Sequence, residues 1–170
     1  MKTTSEQVTI AGQAVTIRPL HSSDSGIEAE FVRNLSAETK HFRFLGGLRE
    51  LAPAELTRLC DIDGQHNMAF VATLERDGRE TQIGVSRYAE VESGSIREMA
   101  VTIADEWQHK GLGRLLATHL IDYARGHGVR QLYSVDLADN TAMRHLANDL
   151  GMSARRNDDD SNQVIYSLAL

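Results

Sequence analysis

The run Gln108-His109-Lys110-Gly111-Leu112-Gly113 has the chemistry of an anion cradle. Residues without side chains let the main chain close on a ligand. Where a helix begins at such a turn, its unpaired N–H groups and positive dipole end bind phosphate. Other phosphate motifs do not fit these glycines. A dinucleotide fingerprint needs glycine where Leu116 stands, and a P-loop needs Gly-Lys-Ser or Gly-Lys-Thr, which the chain lacks. A Gly-rich surface turn is the competing reading. The strand pattern ahead of the run, and Gln108 three residues before Gly111, favour the cradle. His109, Lys110 and Arg114 cluster there as a local positive patch.

The elements around the turn follow from periodicity. Val15-Thr16-Ile17-Arg18 alternates and stops at Pro19, which predicts an opening strand. Ser23 or Asp24 caps a helix to about Leu35, with Ile27, Phe31 and Leu35 as its apolar stripe. Residues 36–51 read as irregular around Gly46-Gly47, and a short helix follows from Pro53. Residues 68–74 and 82–91 are strands joined through an Asp77-Gly78 turn. Residues 96–103 form the strand before the glycine turn, and a helix over about 111–125 follows it. Residues 129–135 are a further strand, residues 140–150 a helix closed by Gly151, and a final strand pair flanks the acidic turn 157–160. The order β-α-α-β-β-β-α-β-α-β-β implies one mixed sheet with helices packed on it. Residues 1–13 are read as flexible or as an edge extension of a single domain over 1–170.

Composition narrows the function classes. A chain of 170 residues can bury a real core. The net charge of −6 argues against general nucleic-acid binding and suits a cationic amine, or is simply solvated surface. No apolar run is long enough to span a bilayer, and Met1-Lys2-Thr3-Thr4-Ser5 lacks a signal-peptide core. The lone Cys60 excludes an internal disulfide, fits a reducing cytoplasm and is expected to pack as a small apolar residue. The seven histidines show no metal-ligand spacing, so no metal is expected. Trp107 is expected to pack against the sheet, and His119 to sit in the core or at its boundary.

Over nearly its whole length the chain resembles the GNAT superfamily of N-acetyltransferases. The resemblance rests on residues 103–113, on the helix after them, and on Asn140-x-x-Met143 running to Leu150-Gly151-Met152. Thr16-Ile17-Arg18-Pro19, Leu35-Ser36, Arg43-Phe44, Asp61-Ile62-Asp63 and residues 68–72 are similar to the acetyltransferase domain of bacterial Pat-type protein-lysine acetyltransferases. The implied fold is α/β (α+β): a mixed, mostly antiparallel central sheet flanked by helices, splayed at the acetyl-CoA-binding strand, often at a bulge.

The resemblance also implies roles. Acetyl-CoA is the cosubstrate, with its pantetheine arm on the backbone of Val101 and Ile103. Its pyrophosphate meets the N–H groups of Lys110, Gly111, Gly113 and Arg114, next to His109. Gln108 holds the place where the family has Gln or Arg. Asn140 approaches the arm and also serves as a helix cap. A lysine-like ammonium has a pKa of about 10.4 in water, so a carboxylate must take its proton. Glu98 matches the family's base position and shares a strand face with Ile96 and Ala100, where burial would raise its pKa; a strand glutamate paired with Arg97 or another surface cation is the alternative. Asp105 and Glu106 are read as solvated loop residues. Ala147 stands where family members carry an acidic tyrosine. The expected acceptor is an amine, with a lysine of an acyl-CoA synthetase as one case. Small-molecule or antibiotic acetylation, a non-catalytic acyl-CoA sensor and a homodimer stay open.

Overall fold

The computed structural model describes residues 5–46 and 50–170. The first two strands, β1 (Glu6–Ile10) and β2 (Gln13–Pro19), form a hairpin whose turn residues Ala11 and Gly12 both have positive φ, 50° and 77°. That is the backbone twist a two-residue hairpin requires. Of residues 1–13, expected to be flexible or an edge extension, Glu6–Ile10 form an edge strand, and the expected opening strand is β2. A 3₁₀ turn at Ser22–Asp24 then delays the first helix, α1 (Ser25–Asn34). Asp24 does not cap it with its side chain, because its carboxylate is held by Arg18 at 2.7 and 2.8 Å and by the His21 N–H at 2.7 Å.

The segment 36–51 is not wholly irregular: Ala37–Arg43 is a helix, α2. Ser36 caps it, its Oγ accepting the Thr39 N–H at 3.1 Å. The helix has no buried residue, so it carries no apolar stripe in the sequence. Gly46 is described, whereas Gly47 lies outside the described residues. The helix α3 (Pro53–Cys60) follows.

The remaining elements are β3 (Asn67–Arg76), β4 (Arg79–Ala89), β5 (Ile96–Ile103), α4 (Leu112–Gly126), β6 (Gln131–Leu137), α5 (Thr141–Asp149), β7 (Ser153–Arg156) and β8 (Gln163–Ala169). The Asp77-Gly78 turn falls between β3 and β4 as expected. One eight-stranded sheet runs β1-β2-β3-β4-β5-β6-β8-β7. Its pairs are antiparallel except β5–β6, the two strands that α4 separates in sequence. This is the mixed, mostly antiparallel sheet expected.

Alternation along β3 shows why both faces are covered. Met68, Phe70, Ala72 and Leu74 join one core with Leu112, Leu116 and Leu120 of α4. Ala69 and Val71 join a second with Val85, Phe31, Val32, Leu35 and Cys60, beneath α1 and α3. Period-two side chains thus divide a nearly continuous apolar run between two cores. Each fully buried Leu, Val or Phe contributes about 1.5–3 kcal/mol. Cys60 is 2 % exposed and packs as the apolar residue expected.

A polar clamp fixes α1 and α3 to β4. The buried Glu28 carboxylate accepts from Arg87 and from Gln82 Nε2, both at 2.6 Å, and Arg87 also reaches the Leu59 carbonyl at 2.9 Å. Arg87 lies opposite Ala100 in the register, so the clamp stiffens the sheet beside β5. Among the described residues no helix is long and apolar enough to cross a membrane.

Candidate active site

The site is created where two strands stop pairing. β5 and β6 pair only at Ile96↔Gln131, Arg97↔Leu132 and Glu98↔Tyr133. Beyond that point β5 stays on β4 as far as Ile103↔Gly84, and β6 stays on β8 as far as Leu137↔Gln163. A cavity of about 640 Å³ fills the opening. The splay was expected, but the accompanying bulge is absent: the β4–β5 register is unbroken over the described residues. Loss of the β6 partner alone opens the edge.

Hydrogen-bond parity shows which backbone groups face the opening. Ala104 N–H bonds to Ile83 O on the β4 side, while Ser95 O accepts from Arg130 and Gln131 on the β6 side. In paired strands alternate residues bond to alternate neighbours, so Met99, Val101 and Ile103 turn their main-chain groups toward the gap. The Ile103 carbonyl is already taken by Gln108 Nε2 at 3.1 Å. The Val101 and Ile103 side chains pack against the start of α4, where a Cβ on Gly113 would meet Ile103 at 3.6 Å and Val101 at 3.9 Å.

The glycine turn closes one end of the cavity. His109 (φ 59°) and Gly111 (φ 83°) are both left-handed, and Gly111 is the N-cap of α4. The first helical bond runs from Leu115 N–H to Gly111 O, leaving the N–H groups of the first turn free for an anion. Nothing lies within 4 Å of a Cβ built on Gly111, so the turn faces open space. Gln108, His109, Gly111, Gly113, Arg114 and Asn140 all line the cavity with Glu98, Val101 and Ile103. Lys110 sits on the turn, but its ammonium folds back to the Glu106 carbonyl at 2.8 Å. Asn140 caps α5, its Oδ1 accepting the Met143 N–H at 3.1 Å.

The other end of the cavity carries charge. Glu98 of β5, Asp136 of β6 and Arg43 of α2 line it together. Burial first, with Glu98 adding to it, pushes the Asp136 carboxyl above its ordinary range, against a 2.6 Å bond from the Ser134 hydroxyl. Arg43 is half-buried as a residue, but its guanidinium is set among protein groups, and that desolvation, with Arg87 adding to it, pushes it down to about 10. The sequence offers Arg43 only within the Pat-like Arg43-Phe44 segment and gives neither it nor Asp136 a role in the site, since only the fold brings α2 and β6 to one cavity. Trp107 is 3 % exposed and packed as expected, yet its Nε1 has no partner among the described residues and its ring lines the cavity.

The remaining candidate residues fall as follows. Asp105 is exposed, as expected, but it is more than a loop carboxylate: it accepts from Ser36 N–H, Ser36 Oγ and Thr39 Oγ1 at 2.9, 2.6 and 2.7 Å. Glu106 pairs with Arg76 at 2.8 Å. Ala147 is 2 % exposed within the core, so its position offers no acid to the cavity. His119 is a boundary residue whose Nε2 meets Glu6 at 2.8 Å. No cluster of potential metal ligands occurs among the described residues.

The comparisons agree with this geometry. A model of the acetyltransferase (GNAT) family matches residues 31–152. The acetyltransferase PA5475 of Pseudomonas aeruginosa is 51 % identical over 94 % of this chain and 86 % of its own. The acetyltransferase Pat of Mycolicibacterium smegmatis is 29 % identical over 82 % of this chain, which spans only 41 % of that protein. The crystal structure of the GNAT domain of S. lividans PAT superposes with a TM-score of 0.88 at 23 % identity, covering 98 % of this chain and 97 % of that one. The chain belongs to the GNAT acetyltransferase family and is an acetyltransferase enzyme.

Proposed function

We propose that this acetyltransferase moves the acetyl group of acetyl-CoA directly onto the side-chain amine of a lysine in a folded protein. The observation that carries the reading is the opening between β5 and β6, which sets an unpaired strand edge, a helix N-terminus and Glu98 along one cavity. The donor fits these residues: open N–H groups for a pyrophosphate, a free strand edge for an amide-bearing arm, and the cationic Arg114 on the wall. When bound, acetyl-CoA supplies an activated thioester.

The chain's own groups then have distinct tasks. The N–H groups of Lys110, Gly111, Gly113 and Arg114, beside His109, hold the phosphates. Val101 and Ile103 pair with the arm, Gln108 fixes the Ile103 carbonyl, and Asn140 meets the arm from α5. Glu98 takes the ammonium proton, directly or through water, so that the neutral nitrogen can attack. A main-chain N–H of Met99 or Val101 faces the gap and polarises the carbonyl oxygen. With no acid at Ala147, the sulfur departs as thiolate; a thiol pKa of about 8.5 makes that departure easy. Cys60 is buried beneath α1 and α3 and forms no acyl-enzyme.

The Pat-like segments of the N-terminal half support a protein lysine, with a lysine of an acyl-CoA synthetase as the first case to try. Leu45, 41 % exposed at the end of α2, offers an apolar contact on the cavity rim. A small amine is the second reading, favoured by the charged trio Glu98, Asp136 and Arg43 inside the cavity. Incubation with labelled acetyl-CoA, a synthetase panel and an amine library decides between them. Label on a protein lysine supports the proposal. Rapid saturable transfer to free amines alone overturns the acceptor, and binding without any turnover would indicate a sensor.

A further inference from the structure

The acceptor-side helix and the phosphate turn are tied by a continuous hydrogen-bonded strap. Asp105 lies just after β5, in the 3₁₀ turn Asp105–Trp107 that leads into the glycine turn. Its Oδ2 accepts the Ser36 N–H at 2.9 Å, and its Oδ1 accepts Ser36 Oγ at 2.6 Å and Thr39 Oγ1 at 2.7 Å. Thr39 Oγ1 in turn accepts from Gln108 Nε2 at 3.2 Å, and the same amide nitrogen donates to the Ile103 carbonyl at 3.1 Å. Two residues of the cofactor segment therefore grip the first turn of α2. Burial pushes the Asp105 carboxyl up, but the bonds from Ser36 and Thr39 outweigh it and hold the group below its ordinary range. An ionised carboxylate only accepts, which is what three converging donors need.

The helix held in this way forms one wall of the cavity. Glu38, Thr39, Phe42 and Arg43 of α2 line the same cavity as the glycine turn and Glu98. α2 has no buried residue, so packing alone fixes it weakly. The segment from Ile103 to Arg114, by contrast, would be gripped at both ends by a bound donor: at the strand edge and at the helix N-terminus. We propose that Asp105, bridged by Thr39 to Gln108, is a positioning residue that couples donor binding to the placement of α2, so that loading the donor organises the acceptor site. This rests on the acetyl-CoA reading above. Reciprocity follows: whatever the donor gains from an ordered α2, the acceptor gains from a loaded turn.

Hydrogen exchange of the full chain with and without acetyl-CoA, together with steady-state kinetics, tests the coupling. In the wild type, acetyl-CoA should slow exchange at Lys40 and Phe44, whose N–H groups bond to Ser36 O and Lys40 O. In Asp105→Ala that protection should disappear, acceptor KM should rise about 5- to 20-fold, and kcat and acetyl-CoA affinity should stay within about threefold. Thr39→Val keeps the side chain's shape, removes the bridge to Gln108 and one of the three Asp105 bonds while both Ser36 bonds remain, and should show the same split in smaller measure if Asp105→Ala folds poorly. Persistent α2 protection and unchanged acceptor KM in the folded variants would overturn the coupling, because protection from direct donor contact survives loss of the strap. Failure of the wild type to bind acetyl-CoA would instead remove the donor reading itself.

Discussion

Replacing Gly111 by glutamate places a carboxylate where the donor's phosphates are expected, and a matched alanine variant isolates the charge. Gly111 has φ 83° and ψ −2°, a left-handed conformation that costs an L-residue about 1–2 kcal/mol. That strain falls on the free and loaded protein alike, so Gly111→Ala should lower stability, and whatever acetyl-CoA affinity it loses measures the crowding of the phosphate by a methyl group alone. An added Cβ meets nothing within 4 Å, so no protein clash confuses the comparison. At a separation of about 6 Å, one pair of like charges repels by about 0.7 kcal/mol in water and about 3 kcal/mol at an effective dielectric of 20. Gly111 is exposed, which favours the lower end, but a pyrophosphate carries more than one charge. A net loss of about 2–3 kcal/mol follows, weakening binding about 30- to 150-fold relative to the alanine variant. Calorimetric titration of both proteins measures it, with circular dichroism confirming the fold. The gap should shrink as salt rises, because the site is open to solvent. A folded Gly111→Glu that binds within about threefold of Gly111→Ala would refute placement of phosphate at this turn.

Three further outcomes follow from the charged groups. Glu28→Ala strands the buried Arg87 and should cost about 3–5 kcal/mol, read as a fall in Tm of about 6–20 °C. Bonds from Arg18 and the His21 N–H outweigh burial and hold the Asp24 carboxyl below its ordinary range, so its stabilisation is present above pH about 4 and lost as pH falls toward the folded value. Melts across pH 2–6 should therefore slope less steeply for Asp24→Asn than for the wild type. Asp136 is shifted upward, so its ionisation above pH about 4 costs stability. Asp136→Asn should melt higher than the wild type at pH 7, lose that advantage in acid, and show a raised acceptor KM.

Legibility in the sequence followed the range of the interactions. The glycine turn, α4 and the Asn140 cap were readable because each is set by residues only a few positions apart. The division of β3 between two cores was implicit in its unbroken apolar run. α2 was hidden because its stabilisation comes from the Ser36 cap and from Asp105, far away in sequence, and from no apolar stripe. The bonding of Asp105 was hidden for the same reason: its exposure is legible locally, whereas its three donors arrive from another element. Arg43 and Asp136 belong to the site only because β5 and β6 part after Glu98, a matter of register. Positions set by local rules were thus legible, and those set by tertiary convergence were not.

Turnover of Glu98→Gln with its acetyl-CoA affinity measured on the same sample tests the central claim most directly. Glu98 stands at the last β5–β6 pair, at the mouth of the opening, half-buried and lining the cavity. The amide keeps the size of the side chain and removes the proton acceptor. CoA release with a reactive lysine acceptor should fall by about 10²- to 10⁴-fold, while the calorimetric Kd for acetyl-CoA stays within about twofold. The residual rate should climb with pH as more acceptor becomes neutral in solution. Wild-type turnover by the variant near neutral pH would contradict direct amine attack assisted by Glu98.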